Sequence, residues 1–472
     1  MKPAAAMLGL ALLLQGSPAE EYKARHEKLL KNTAAKHYAI GDYLATAQMH
    51  AWARTEFRRV IDDLDPDHEG ARKRLGYRKN DQGQWEDDPN AKQDVGNRKK
   101  GEDAAKVQKS WNERVEQAGK DLSRQWSDLA LWCKKNVLQK EADGAFRKAL
   151  EYDPGNATAR KELGYEKLGK SGVWISKFER ELRKEMKDGI AKAPQGTASS
   201  AASELEPALG IKLKRREAGH IVLESPHLSD ADLVSLVQHC EHAYAMYHKI
   251  FGQEDLFGGL KMTHVILKDK VQHERYIDAF QKGRSPQEIE LSKKATGSMG
   301  FPRSEQYQDT RPIESIQDMA VHSTVQMLSN LLARGEHHWL HEGTSYHFTR
   351  LMKDTAATYC VDLAGTSPQN RGKNYQDPDD WPVVCKVWVR EDKDPEMLAI
   401  LKCTNVQELD GAETVKAWSL VEFLITEHRD KFIEVCKALG QGADVEKAFK
   451  QVFDWSVETL DRRWKAYVKA SY

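Results

Sequence analysis

The sequence holds no C-x-x-C pair, no glycine-rich phosphate loop, no G-x-S-x-G elbow and no dinucleotide fingerprint. These absences exclude a zinc knuckle, the common nucleotide cradles and the serine-hydrolase nucleophile. Surplus charge is missing too. Lysine and arginine number 72 and aspartate and glutamate 72, so no net field gathers nucleic acid or an anionic membrane. No apolar run reaches the roughly 20 residues that cross a bilayer. What is present is a globular balance, 40% hydrophobic and 31% charged, over 472 residues. That length is too great for one ordinary core and calls for two or three domains.

The first residues carry an address. Lys2 precedes an uncharged apolar run from Ala4 to Leu14, and Ser17-Pro18-Ala19 supplies small residues after it. This is the order of a secretory signal peptide, residues 1–19, cut near Ala19. The expectation is an exported chain, periplasmic or secreted, with no stable membrane insertion after cleavage. Export affects the reading of the cysteines. Cys133, Cys240 and Cys436 lie in helical patterns and read as small buried hydrophobes. Cys360, Cys385 and Cys403 lie in a loop-rich stretch where a disulfide has room, with Cys360–Cys385 the favoured pair.

A repeat follows. FRRVIDDLDPDHEGARKRLGYRKNDQGQW from Phe57 to Trp85 returns as FRKALEYDPGNATARKELGYEKLGKSGVW from Phe146 to Trp174. Asp65-Pro66 aligns with Asp153-Pro154, Ala71-Arg72 with Ala159-Arg160, and Leu75-Gly76-Tyr77 with Leu163-Gly164-Tyr165. Phe57, Val60, Ile61 and Leu64 share one helical face. Asp-Pro stops that helix, and Gly-Tyr ends a short second one. Preceding helices at Tyr38–Met49 and Ser127–Lys135 complete two helical hairpins, and Trp85 and Trp174 are expected to pack under the turn after each unit. The pattern resembles tetratricopeptide-type repeats. It implies an all-α region over residues 20–183, with units at about 37–88 and 125–176, and a peptide-binding surface or a helical spacer. Residues 89–120, charged and poor in large apolar side chains, read as a solvated helix or hinge. Residues 184–217, with a Pro, Gly, Ser and Ala-rich patch and the basic cluster Lys212, Lys214, Arg215 and Arg216, read as a linker with a solvated edge.

After the linker the pattern changes. His220–Glu224 and Met262–Leu267 are short apolar strands, with a helix at Asp230–Phe251 between them. Gly297–Phe301 reads as a strand at a sheet edge. Helices at Ile316–Leu332 and His338–Met352 and a helical C-terminus complete an α+β domain over residues 218–472.

Within that domain AVHSTVQML is followed by HHWLHEGTSYHF. The arrangement resembles the peptidase-MA-like gluzincins, the zincin-type metallopeptidases in which H-E-x-x-H lies on one helix and W-L-x-E-G on the next. Trp339, Leu340, Glu342 and Gly343 match the second motif, and His322 matches the first histidine. The resemblance implies zinc held by two histidines one turn apart and by a later glutamate, with a glutamate base taking a proton from zinc-bound water. This chain departs from the family at two positions. Ser323 stands where the base belongs, and losing a general base costs on the order of a hundred- to ten-thousand-fold. Gln326 stands where the second histidine belongs, and an amide is a poor zinc ligand beside imidazole. His322 and Glu342 remain as vestigial ligands, and His338, four residues before Glu342, is a replacement candidate. The expectation is a pseudopeptidase without a cofactor that binds a protein or peptide. The alternative is a divergent zinc-dependent metallopeptidase using replacement ligands.

Overall fold

A computed structural model describes residues 17–91, 96–168, 173–354, 381–404 and 409–472. The chain divides into two units, one through Glu166 with Lys469–Ser471, the other Lys167–Val468 with Tyr472. Residues 1–16 of the expected signal peptide lie outside the described residues.

The first unit holds the repeat as far as Glu166, and the closing residues of the second copy, from Lys167, belong to the second unit. Helix α1 (Pro18–Thr46) opens on a reciprocal cap: the Ser17 hydroxyl accepts from the Glu20 N–H, and the Glu20 carboxylate accepts from the Ser17 N–H. A turn through Gln48 (φ 63°) leads to α2 (His50–Arg59), which runs on as a π-turn, Val60–Leu64, to Asp65-Pro66. The short α3 (Glu69–Arg74) follows and stops at Gly76, whose φ of 89° suits glycine. The second copy has α4 (Gly101–Lys135), a turn through Val137 (φ 61°), α5 (Gln139–Tyr152) and α6 (Ala157–Glu162). The two copies share bonds as well as letters. Arg72 Nε donates to Pro66 O at 2.8 Å, and Arg160 Nε donates to Pro154 O at 3.2 Å. His68 and Asn156 each cap the helix that follows, accepting from Ala71 N and Ala159 N.

Each copy ends in strands, which corrects the all-α expectation. β1 (Tyr77–Lys79) pairs antiparallel with β2 (Trp85–Asp87), and β3 (Glu166–Leu168) pairs with β4 (Val173–Ile175). An isolated two-stranded hairpin is marginal in water. Trp85 steadies the first by donating to Asp67 at 3.2 Å and lying 5.0 Å beneath the Lys79 ammonium, and Lys167 repeats that stack over Trp174 at 5.1 Å. Of the two readings of the charged stretch 89–120, the solvated helix holds from Gly101 on, most of its residues being exposed or half-buried. From Gly101 it is the first half of α4, where Trp111 stacks on Trp52 at 5.2 Å and donates to buried Glu56. The expected face of Phe57, Val60, Ile61 and Leu64 is buried.

The second unit holds a six-stranded mixed sheet in the order β5-β6-β7-β8-β10-β9. Helix α7 (Lys177–Asp188) leads into it. The segment read as a linker is built into this sheet: β5 (Thr197–Ser199), the turn of helix α8 (Glu206–Leu209) and β6 (Lys214–Glu217) all fall within residues 184–217. The basic cluster is no free edge either. Arg215 reaches buried Glu224 at 2.7 Å on β7 (Ile221–Ser225). β7, β8 (Met262–Leu267) and β10 (Arg303–Tyr307) run parallel, and β9 (Gly297–Gly300) closes the edge antiparallel, as its glycines foretold.

The two-residue period of β8 sorts the layers. Met262 and Ile266 join the core under α9 (Asp230–Phe251) and α12 (Ile313–Ala333). Val265 and Leu267 join the core under α8 and α10 (Lys270–Phe280), beside α11 (Pro286–Lys294). Among the described residues the other α-helices are α13 (His338–Lys353), α14 (Trp381–Glu391), α15 (Met397–Lys402), α16 (Gly411–Gly440), α17 (Val445–Phe453) and α18 (Val457–Ser471). Gly343 lets α13 approach α16 closely, since a Cβ there would sit 2.6 Å from Ala417 O. Cys133, Cys240 and Cys436 are buried in helices as expected. Cys385 is a free buried thiol in α14, pushed up to about 12 by burial, rather than half of a disulfide. Cys360 lies outside the described residues.

Candidate functional site

α12 forms because Ile316, Ala320, Val321, Val325 and Leu328 give it a continuous apolar face, all fully buried. It ends at Arg334 and Gly335, both at positive φ, and α13 begins after that turn. His322 and Gln326, one helical turn apart, therefore face Glu342 on the returning helix. The Gln326 amide nitrogen donates to Glu342 Oε1 at 2.6 Å. His322 Nε2 lies 3.3 Å from Oε2, within ion-pair range but off the line of a hydrogen bond. His322 is 4% exposed and Glu342 1%. Tyr346, one turn beyond Glu342, sets its ring edge-on to His322 with centroids 4.8 Å apart.

The donor set decides what this cluster can hold. A carboxylate only accepts, so Gln326 must turn its NH2 toward Glu342 and its oxygen away. The amide hydrogen then occupies the direction in which a metal ligand would offer a lone pair. Two candidate ligands remain, His322 and Glu342, where a catalytic zinc takes three from protein. Zinc does not fit these residues. Ser323 is buried beside His322, and a hydroxyl is no base near neutrality.

The replacement candidate His338 and the neighbouring histidines go elsewhere. His338 Nε2 bonds Thr404 O at 3.0 Å, away from Glu342. His341 bonds Gly335 O at 3.0 Å, and burial holds it down to about 4. His347 is held down to about 3 by burial, with Arg350 and Arg183 adding to the effect. Among the described residues no group of three or more His, Cys, Asp or Glu side chains is placed to hold a metal.

Sequence reasoning missed His264 and Tyr346. His264 Nε2 donates to Thr324 Oγ1 at 2.9 Å, and Thr324 in turn donates to Ala320 O. Burial holds His264 down to about 3, so it is neutral and pins β8 to α12. Its signal was its alternation with Met262 and Ile266 in MTHVIL, the first, third and fifth residues, which puts it on the α12 face with them. Tyr346 follows Glu342 at i+4, a spacing that puts both on one face of a helix. No protein-family model matches the chain, and no curated protein matches it.

Proposed function

We propose that this chain is an exported, metal-independent pseudopeptidase: a gluzincin-like domain, preceded by tetratricopeptide-like repeats, that binds a protein or peptide. The observation that carries this reading is the bond from the Gln326 amide to Glu342, which spends on a helix–helix contact one oxygen of the carboxylate that a zincin gives to its metal. The equal charge count argues for a protein or peptide partner over nucleic acid. Among the described residues no helix is long and apolar enough to cross a membrane. The alternative, a divergent zinc peptidase using His338, has no support in the placement of that ring.

Metal content and turnover test the reading together. The purified chain is expected to carry substoichiometric zinc and to cleave no peptide. About one zinc per chain, with peptidase activity abolished by a chelator, overturns it. The double variant Ser323→Glu, Gln326→His supplies the two family side chains beside His322 and Glu342. It is expected to bind zinc far more tightly than the parent and to gain thermal stability on zinc addition, about 3–4 kcal/mol at a hundred- to thousandfold excess over Kd. A folded double variant with no gain in a zinc competition titration removes the family comparison's residue-level support.

A further inference from the structure

On the face of the sheet away from α12, His273 of α10 and Glu305 of β10 form a pair with neither side chain exposed at all. His273 Nδ1 lies 2.9 and 3.0 Å from the two Glu305 oxygens. His273 Nε2 lies 2.9 Å from the Ser292 carbonyl of α11. A carbonyl only accepts, so Nε2 must carry a hydrogen. A neutral ring then has none left for Nδ1, which would turn a lone pair toward a carboxylate. The arrangement closes only if one further proton is present, on Nδ1 or on Glu305. Other groups facing the pair are the Ser298 hydroxyl on β9 at 3.4 Å, the Tyr307 ring on β10 at 5.1 Å, Glu274 on α10 and Arg311 after β10.

The helix at the end of this chain of bonds has little else to hold it. α11 contains no buried residue. Ile289 is its one side chain against the core beneath, and Lys293–Asp278 at 2.6 Å is a surface pair, of the kind that contributes little. We propose that α11 is a pH-released strap, fastened to the sheet by one proton that the buried His273–Glu305 pair holds. The electrostatics agree. Burial disfavours the His273 imidazolium, but Glu305 and the Ser292 carbonyl outweigh it and raise the ring above its ordinary range. Burial raises the Glu305 carboxyl as well. Because the folded state holds the proton more tightly, the fastening is complete below the ordinary histidine value of about 6.5. It is lost as pH rises through the raised folded value.

Hydrogen–deuterium exchange of the α11 amides, corrected for the intrinsic pH dependence of exchange, tests the strap in the full chain. Protection is expected to be constant near about pH 6 and to fall by about tenfold per pH unit above the pair's midpoint, one proton being lost. Glu305→Gln decides the mechanism. Its amide donates to Nδ1 of a neutral ring and so mimics the protonated carboxyl permanently. In that variant α11 should stay protected across the whole range. Protection of α11 in the native chain that stays flat up to about pH 9, or a Glu305→Gln variant that follows the native profile, overturns the proposal.

Discussion

The two units bury polar groups very differently. In the first unit, two short apolar cores are built from one pattern: Phe57, Val60 and Ala71 in one copy, Phe146, Ala149 and Ala159 in the other. Its buried ionisable side chains are few, chiefly His37 with Glu56 at 2.7 Å and Arg160. The second unit buries His239, His264, His273, His341, His347, Arg350, Lys416 and Glu422. A repeat that stacks amphipathic hairpins needs only an apolar stripe, whereas a sheet sandwiched by helices encloses whole helical circumferences, polar faces included. Those enclosed faces must find partners, and they make the second unit the one that responds to pH and to charge removal.

The pH response should separate the units most. Burial holds His264 and His347 down to about 3 and His239 and His341 down to about 4. A lowered histidine value means that the folded state refuses a proton that the unfolded chain takes. Stability is therefore lost as pH falls below about 6.5 toward those values. Glu422, raised to about 7 chiefly by burial, works in the opposite sense and offsets part of the loss. His26 and His37 of the first unit are also lowered, again chiefly by burial. Exchange measured unit by unit should show the second losing on the order of several kcal/mol more than the first between about pH 6.5 and 4. Equal losses in the two units would break the comparison.

Charge removal should come next. Lys416 Nζ is held by Asp394 at 2.6 Å, Asp461 at 2.7 Å and Pro395 O, above the Trp464 ring. Lys416→Met leaves buried Asp394 with only the Lys465 ammonium, at 3.0 Å, and should cost about 3 kcal/mol in urea unfolding. Ile61→Val in the first unit removes only a methylene from an apolar site and should cost about 1 kcal/mol. A Lys416→Met cost no larger than that of Ile61→Val would show that the second unit's buried charges add nothing to its stability.

The smallest effect sharpens the comparison within the repeat. Gln48 and Val137 occupy the same inter-helix turn in the two copies, both in the left-handed region, and Val137 is 89% exposed. A β-branched side chain is strained there, and asparagine tolerates it. Val137→Asn should raise stability by about 1 kcal/mol, read as a higher thermal midpoint, and Gln48→Asn by less. If neither changes the midpoint, the turn does not carry the strain that its geometry implies.

Much of the architecture was readable where local chemistry and tertiary demand agree. α9 runs over the expected Asp230–Phe251 because Ser229 and Asp232 cap its start and Gly252 (φ 60°) ends it. β8 matches Met262–Leu267 because a strand covered by helices on both faces is mostly apolar, with His264 the buried exception that finds a partner in Thr324. Strands β5 and β6 were not readable. Their serine, alanine and basic residues carry no strand signal, and pairing alone makes them strands. The hairpins β1–β2 and β3–β4 were missed for a related reason: three-residue strands are shorter than any period that can be counted.

The candidate site divides the same way. Spacing along two helices was enough to bring His322, Gln326 and Glu342 onto facing surfaces, because helix geometry is local and the turn between the helices is short. Which way the Gln326 amide points, which carbonyl receives His273, and where His338 and His341 turn instead of toward Glu342 were decided by the fold. A hydrogen bond depends on where its partner's lone pair lies in space. Residues 19 positions apart, as with His273 and Ser292, acquire that relation only when the sheet and its covering helices have closed.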